Sequence, residues 1–440
     1  MPSVSDIGSP DVPRPEPRMR QRQQFYISAY WFGTNLLWMA LLLIIMPSQM
    51  RRLFPSDPSR MLGLIIGFGS LPAILVPLLV GPISDRCMSR WGRRRPFMFV
   101  GVSINLVGLA LLWFAGEHLL LWLYIVGYFV SNTGNNIATG AYSAIIPDLV
   151  PEPQRGQAGG WMAAMTQLGQ IAGAVSAGLL MHAGQVLAAY GVIAGTLVVF
   201  LIITAAGIRE QPRTDSPGPL DLIAFLKRLW IDPRKHPNFA WVWITRLLVM
   251  MGVYSVQEFI QYYLVDEAKV PIDRAELAAG QMFVILLVAA TPTALLGGGV
   301  SDRIGRRPVI YTANTLIAAA CLAFILSPSL MYAYIVAVAF GLGFGAYCSV
   351  DWALGVDVLP NKEQDAAKDM AVWHIALTLP QVIAVPIGGV LLGAFGKTTI
   401  MVGGLPQVHY DHGGYVALFL IAGAYFILGA VLLRNVRGVR

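Results

Sequence analysis

A charged sequence occurs twice in this chain, first as Gly81-Pro82-Ile83-Ser84-Asp85-Arg86 and, four residues later, Trp91-Gly92-Arg93-Arg94-Arg95-Pro96. The second copy is Gly298-Gly299-Val300-Ser301-Asp302-Arg303-Ile304-Gly305-Arg306-Arg307-Pro308. The two aspartates are 217 positions apart, about half of the 440 residues, and each copy lies between two long apolar runs. A charged loop repeated at half-length in an apolar chain predicts two homologous membrane halves, which is an architecture typical of transporters.

The composition also indicates a membrane protein. Hydrophobic residues make up 56% of the chain and charged residues only 12%, whereas soluble domains carry about 25% charged residues. Apolar segments of about 20 residues recur, long enough to cross a hydrocarbon core of roughly 30 Å. Inside lipid the backbone polar groups must bond within the segment, so each segment is predicted to be a helix.

The fold class predicted from these runs is an all-α membrane protein with twelve transmembrane helices in two pseudo-symmetric halves of six. The predicted spans are 25–46, 60–80, 97–115, 119–146, 158–181, 187–208, 239–264, 277–297, 308–327, 330–357, 366–394 and 413–434.

A polar, proline-rich segment between the sixth and seventh spans divides the chain. Within it, Leu220–Trp230 is either a short amphipathic helix on the membrane surface or an irregular loop. The first residues lack the apolar core of a signal peptide and are expected to be disordered. The predicted domains are a cytosolic tail (1–24), an N-terminal bundle (25–208), a cytosolic linker (209–238), a C-terminal bundle (239–434) and a second cytosolic tail (435–440).

The distribution of positive charge predicts the orientation. Of the 31 Lys and Arg residues, 24 fall on the side that holds both predicted termini and 6 on the other, and Arg246 falls inside a span. Because cytoplasmic loops are enriched in Lys and Arg, both termini are predicted to be cytoplasmic, in a multi-pass protein of the cell (inner) membrane. The excess positive charge is thereby assigned to topology and not to nucleic-acid binding.

The repeated G-x-x-x-D-R-x-G-R-R pattern resembles the signature of the major facilitator superfamily. The extended first loop, Val350-Asp351-Trp352-Ala353-Leu354 and Thr378-Leu379-Pro380-Gln381 resemble its sucrose/sugar–proton symporter branch, near the glycoside–pentoside–hexuronide symporters. The resemblance implies transport of a sugar or glycoside by alternating access, coupled to an ion, in a functional monomer. The chain differs from the plant sucrose carriers at Asn132 and Ser143, where they have an acid and an arginine, so a proton site is expected elsewhere.

The charged loops are predicted to form a cytoplasmic gate. The resemblance implies that loop arginines pair with acids at the ends of later spans in one conformation and separate in the other. Ion pairs near water are individually weak, which suits contacts that must break. The alternative is that these charges only anchor the topology. The gate candidates are Asp85, Arg86, Arg93, Asp148, Asp302, Arg303, Arg306 and Asp357.

Four ionisable residues fall inside predicted spans, where a charge costs roughly 2.5–3.5 kcal/mol and so usually faces a partner or a cavity. Asp351 is the preferred proton carrier, and the alternative is a fixed salt bridge to Arg246. Arg246 could instead snorkel to the membrane surface or contact the substrate. Glu258 and His374 are further coupling candidates, although Glu258 could be solvated and His374 could be a packing histidine.

Polar and aromatic side chains within the spans are candidates for sugar recognition, because amides bond hydroxyl groups and aromatic faces pack on the C–H patches of sugar rings. Each could instead hold two helices together. The cavity candidates are Asn35, Trp38, Asn132, Asn136, Gln167, Gln170, Gln257, Trp352, Trp373 and Gln381.

Two alternative functions remain open at the level of sequence. An exporter of amphipathic drugs or metabolites is suggested by methionines within spans, namely Met39, Met162, Met165, Met250 and Met251. A membrane receptor or scaffold without transport is the other. The sequence lacks a phosphate-binding G-x-x-x-x-G-K-[ST] loop, a nucleophile elbow and a metal-ligand cluster, so no ATP-driven pump, enzyme, cofactor or metal is predicted.

Overall fold

The computed structural model describes residues 19–151, 154–208, 210, 231–326, 329–360, 366–402 and 405–437. The predicted amphipathic segment Leu220–Trp230 lies outside the described residues. We call the described residues up to 208 the N-terminal part and those from 231 onward the C-terminal part. The long helices are α1 (Gln21–Leu53), α2 (Pro58–Asp85), α3 (Arg95–Glu117), α4 (Leu121–Tyr142), α5 (Arg155–His182), α6 (Val186–Gly207), α7 (Pro237–Gln257), α8 (Ile272–Ile304), α9 (Arg306–Leu326), α10 (Leu330–Asp357), α11 (Ala366–Ala394) and α12 (His412–Leu432).

Several of these helices contain local irregularities. Within α1, Met39–Ile45 is π-helical, and α2 changes direction at Ser70, between Pro58–Gly69 and Leu71–Asp85. The predicted span 239–264 is divided, because α7 ends at Gln257 and a separate helix, Ile260–Asp266, follows. A short helix, Ile145–Leu149, follows α4. Irregular backbone of this kind in a bundle commonly marks a functional region.

Within the described residues, ten helices are long and apolar enough to cross a membrane, two fewer than the twelve spans predicted. The helices α4 and α5 are not among the ten, although they contain 22 and 28 residues. Their sequences explain this, because α4 carries Asn132, Asn135 and Asn136 and α5 is rich in glycine and glutamine. Helices that place amides inside a bundle are less apolar than helices that face lipid.

Small residues let neighbouring helices approach closely. A Cβ atom added to Gly108 of α3 would lie 2.3 Å from the backbone nitrogen of Ser131 in α4. A Cβ added to Gly345 of α10 would lie 2.0 Å from the carbonyl oxygen of Ala290 in α8. Such contacts pack membrane helices by van der Waals contact, as glycine does in other membrane bundles.

One element departs from the all-α prediction. An antiparallel hairpin joins α11 to α12, with β1 at Lys397–Val402 and β2 at Leu405–Tyr410, and Lys397 is paired with Tyr410 in its register. The sequence did contain a signal for it, since Gly403-Gly404 separates two short runs that include β-branched residues, a pattern typical of a two-residue hairpin turn.

The hairpin and the charged loops lie at opposite ends of the bundle. Helix α2 shows this, because Asp57 precedes its first residue and contacts Lys397 of the hairpin, whereas its last residue, Asp85, belongs to the first charged loop. We refer to these two ends as the hairpin side and the charged-loop side.

Candidate functional site

The first charged loop forms a cluster of ion pairs. Arg93 contacts Asp148, with 2.8 Å between Nη2 and Oδ2. Arg94 contacts both Asp148 (Nη2 to Oδ2, 3.0 Å) and Asp85 (Nη2 to Oδ1, 2.5 Å). Loop arginines thus pair with an acid beyond α4, and the role of Arg93, Asp85 and Asp148 as a gate stays a prediction.

The second charged loop repeats this arrangement in part. Arg306 contacts Asp357 at the end of α10, with 2.5 Å between Nε and Oδ2, and its Nη1 is 3.7 Å from Oδ1 of Asp302. In both loops a glycine immediately precedes the pairing arginine, and Gly92 and Gly305 have φ angles of +97° and +96°. Only glycine adopts such angles at little cost, so these two residues set the direction in which the arginines point.

The central residue of the first cluster was not predicted. Arg94 is almost completely buried, and its Nη1 also donates to the Ser84 hydroxyl at 2.5 Å and the Gly81 carbonyl at 3.4 Å. Its position between two other arginines hid it, because three consecutive basic residues look alike in sequence. Of the remaining gate candidates, Arg86 donates to the Pro82 carbonyl at 3.2 Å, and Arg303 is exposed.

A buried polar cluster lies between α1, α2 and α4. The Tyr128 hydroxyl is 3.0 Å from the Ser70 hydroxyl, where α2 changes direction, and accepts from Asn132 Nδ2 at 3.5 Å. Asn136 donates to the side-chain oxygen of Asn132 at 2.7 Å. The ring of Trp38 stands edge-on to Tyr128, with 6.4 Å between centroids. Sequence reasoning had named Trp38 and both asparagines as cavity candidates, but not the tyrosine that joins them.

A second group of amides connects α1 to α5. Asn35 donates to the Trp31 carbonyl at 2.8 Å, and Gln170 donates to Asn35 Oδ1 at 3.4 Å. Gln167 is partly buried on the same helix as Gln170. Since Asn35 and Trp38 are three residues apart on one helix, these amides extend the polar cluster around Tyr128 towards α5.

Glu258 lies in the break between α7 and the helix that follows it. It is fully buried, and its Oε2 atom has no hydrogen-bond partner among the described residues. Its other oxygen accepts from Gln257 at 3.5 Å. Tyr128 and Tyr254 both lie close enough to interact electrostatically with Glu258, and Gln381 of α11 bonds Tyr254. A buried carboxylate of the C-terminal part therefore lies within electrostatic range of Tyr128 in the polar cluster of the N-terminal part.

Arg246 and Asp351 form an ion pair between α7 and α10. Their side chains are in contact and both are buried, and Tyr347 donates to the second oxygen of Asp351 at 2.8 Å. The Arg246 guanidinium lies 4.8 Å from the centre of the Trp373 ring. This is the geometry of the salt-bridge alternative for Asp351. Trp373 is buried and lies against Arg246.

The remaining candidates differ in their exposure. Trp352 is 53% exposed. His374 is exposed, although it is near enough to Arg246 to interact with it electrostatically. Of the five methionines that suggested an exporter, four are buried, namely Met39, Met165, Met250 and Met251. They pack inside the bundle, as the residues around Tyr128 do, and the exporter alternative stays open.

Within the described residues, these buried clusters offer hydroxyls, amides, an indole ring and the Glu258 carboxylate, whose Oε2 has no hydrogen-bond partner there. Such groups can bond a polar solute and stack on its apolar patches. Among the residues that the structure describes, no group of three His, Cys, Asp or Glu side chains is placed to hold a metal ion.

Comparisons with known proteins identify the family. A model described as Major Facilitator Superfamily matches residues 25–368. The sucrose transport protein SUC4 of Arabidopsis thaliana is 26% identical over 187 residues, covering 39% of this chain and 36% of that protein. The sucrose transport protein SUC3 of the same plant is 31% identical over 129 residues, or 24% of this chain and 22% of that protein. The matches therefore span about a third or less of these relatives.

Solved structures of transporters share the fold over nearly the whole chain. The crystal structure of D-xylose-proton symporter superimposes with a TM-score of 0.67 at 16% identity, covering 94% of this chain and 96% of that one. The crystal structure of nucleoside transporter NupG gives a TM-score of 0.67 at 14% identity, covering 96% and 100%. At these identities the similarity shows the fold alone.

Proposed function

Because the chain belongs to the major facilitator superfamily, we propose that it is a secondary active transporter for a sugar or glycoside, driven by a coupling ion, with the proton as the first candidate. In this proposal α1–α6 and α7–α12 are two six-helix halves that move relative to each other. Two observations support the division: the charged loop recurs at half-length, and in each copy an arginine after a positive-φ glycine pairs with an acid at the end of a later helix.

The observation that carries the substrate assignment is the buried cluster formed by Trp38, Ser70, Tyr128, Asn132 and Asn136. It combines an aromatic ring with neighbouring hydroxyls and amides, the groups that suit a ring of C–H and hydroxyl groups. The matched relatives are sucrose transport proteins, which favours the same substrate class. Glu258, in the break after α7, lies within electrostatic range of Tyr128 and would supply an acceptor for sugar hydroxyls.

Glu258 is also our candidate for the coupling residue. It lies where α7 is broken and has no cationic partner among the described residues, so it can gain or lose a proton without breaking an ion pair. Asp351, the sequence-based choice, is held by Arg246 and Tyr347. Protonation of Asp351 would remove the electrostatic attraction within the buried pair and leave the buried Arg246 guanidinium without a counter-charge.

The charged loops act in this proposal as the gate on their side of the membrane. When that side is closed, ion pairs between arginines and acids hold the loops against the helix ends. When it opens, the partly exposed charged groups replace these ion pairs by contacts with water, at little cost in free energy. We assign this side to the cytoplasm, together with both termini, from the distribution of Lys and Arg.

Counterflow in proteoliposomes tests the proposed substrate class. Vesicles preloaded with an unlabelled sugar from a panel of mono- and disaccharides and glycosides are diluted into the radiolabelled form of the same sugar. We expect transient accumulation of at least one panel member, above that in vesicles without protein. A flat trace for the whole panel, with uptake of an amphipathic cation in the same vesicles, would assign the protein to the exporters instead.

A further inference from the structure

The β-hairpin bonds the two parts of the chain to each other on the side opposite the charged loops. The Tyr410 hydroxyl accepts from the Ser59 backbone N–H at 2.8 Å and donates to Asp57 Oδ1 at 3.2 Å. Lys397 Nζ contacts Asp57 Oδ2 at 2.8 Å and the Ser56 carbonyl at 3.1 Å. Since α2 begins at Pro58, Tyr410 satisfies one of the free N–H groups at the start of that helix.

The base of the hairpin is held by residues of its own part. Asp266 Oδ2 accepts from the Tyr410 backbone N–H at 3.1 Å and from the Tyr415 hydroxyl at 2.5 Å. His409 lies 2.9 Å from the other oxygen of Asp266, and His412 lies 2.8 Å from Glu267. The hairpin is therefore fastened to the C-terminal part by one set of contacts and to the N-terminal part by another, formed by Lys397 and Tyr410.

Tight helix packing lies directly beneath these contacts. A Cβ on Gly389 of α11 would stand 2.5 Å from the Ser59 carbonyl oxygen, and a Cβ on Gly63 of α2 would stand 2.8 Å from that of Val385. The Ser59 hydroxyl also donates to the Gly389 carbonyl at 3.1 Å. The hairpin thus covers the end of a close contact between α2 and α11. Where these two helices meet, no solute can pass between them from the hairpin side.

Arg51, near the end of α1, has unused donors beside this contact. Arg51 is buried, and its guanidinium lies 4.6 Å from the ring centre of Tyr262. Neither Nη1 nor Nη2 has a hydrogen-bond partner among the described residues. Asp57 and Arg51 both lie near enough to Tyr262 to interact with it electrostatically. Leaving both terminal nitrogens of a buried guanidinium without partners is costly, and Asp57 is a carboxylate of the same part of the chain.

We propose that the hairpin is a latch that closes the hairpin side, and that Arg51 is the partner that receives Asp57 when the latch releases. In the closed state Asp57 is held by Lys397 and Tyr410. When the two parts separate there, Asp57 loses both, and Arg51, which moves with it, takes the carboxylate. The exchange keeps Asp57 paired in both states, gives Arg51 a partner in the open state, and leaves the partly exposed Lys397 to water. This inference rests on the proposed alternating access but not on the identity of the substrate.

The test measures access to the centre of the bundle without any substrate. Cys87, Cys321 and Cys348 are replaced by serine or alanine, and Ser70→Cys provides a reporter that is fully buried in this structure. A membrane-impermeant maleimide is then added to the hairpin side of sealed vesicles. Tyr410→Phe loses both hydrogen bonds of the hydroxyl, and Lys397→Gln loses the charged contact with Asp57. We expect each to raise the labelling rate about two- to tenfold.

Two further variants separate a latch from general loosening. Thr399→Val changes an exposed hairpin residue that is paired with Val408, and it should leave the rate unchanged. Arg51→Gln removes the partner of the open state and should lower the rate, the opposite sign. Equal labelling in Tyr410→Phe, Lys397→Gln and Thr399→Val would overturn the latch, and faster labelling in Arg51→Gln would overturn the charge exchange. A protein that fails in counterflow but shows this labelling pattern would contradict the substrate assignment alone.

Discussion

Arg246 of α7 contacts Asp351 of α10 inside the helical bundle, and both side chains are buried. Tyr347 donates to the second oxygen of Asp351 at 2.8 Å, and Trp373 covers the guanidinium at 4.8 Å. The pair joins two helices of the C-terminal part, so its first role in our account is to hold α7 against α10.

The first prediction concerns the energy of this pair. Arg246→Met or Asp351→Leu alone leaves one buried charge without its partner, which costs about 3–5 kcal/mol. The double variant removes both charges and should recover most of that loss. Thermal unfolding of the purified proteins in detergent gives the comparison. If the loss of stability in the double variant equals the sum of the two single losses, Arg246 and Asp351 do not stabilise the fold through their mutual contact.

The second prediction separates the coupling candidates. Glu258→Gln keeps the shape and hydrogen bonding of the side chain but cannot carry a proton, so exchange of labelled for unlabelled sugar should persist while accumulation against a gradient is lost. Asp351→Asn should impair exchange and accumulation together, because it leaves the buried Arg246 unmatched. If Asp351→Asn instead keeps exchange and loses only accumulation, the proton is carried by Asp351, and His374→Gln becomes the next variant to test.

The third prediction concerns the charged loops. Asp85→Asn removes an acceptor of Arg94 and should lower uptake about two- to fivefold, the effect of one partly exposed ion pair, without loss of membrane insertion. Asp357→Asn should behave in the same way through Arg306. The matched control is Arg90→Gln, because Arg90 is an exposed arginine of the first charged loop that is not among the gate candidates. Uptake at the wild-type rate in both aspartate variants would leave the charges as topological anchors only.

The fourth prediction concerns orientation. In a cysteine-free background, Met88→Cys in the first charged loop should be labelled by an impermeant reagent only from the cytoplasmic side. Thr399→Cys in the hairpin should be labelled only from the opposite side. Both positions are exposed, so each serves as the accessibility control for the other. Labelling of Met88→Cys from outside intact cells would reverse the orientation.

Much of the fold followed from patterns that repeat along the chain. The apolar runs predicted most helices well, and 330–357 and 366–394 agree with the bounds of α10 and α11. Helix α1 begins at Gln21, earlier than the predicted start at 25, because polar residues there bond across the bundle, as Gln24 does to Gln157 at 3.0 Å. Hydropathy cannot register such a contact, nor could it register the break at Glu258 within an otherwise apolar run.

The site was predictable as a set of residue types and not as an arrangement. Trp38, Asn132 and Asn136 were named because polar groups in apolar helices are costly. Tyr128 was missed because tyrosine is common in apolar spans, and only the fold shows it bonded to Ser70. Ion pairs between distant segments, such as those of Arg94 and Lys397, depend on which loops share one end of the bundle, and that follows from tertiary packing.

The most direct test of the account is accumulation driven by a pH gradient. Proteoliposomes that contain the wild-type protein and the sugar identified by counterflow are given an acidic exterior, and the internal concentration of the sugar is followed. We predict that it rises above the external concentration and falls back when a protonophore collapses the gradient, whereas vesicles with Glu258→Gln only equilibrate. Equilibration alone in the wild-type vesicles, with or without the gradient, would contradict proton-coupled transport.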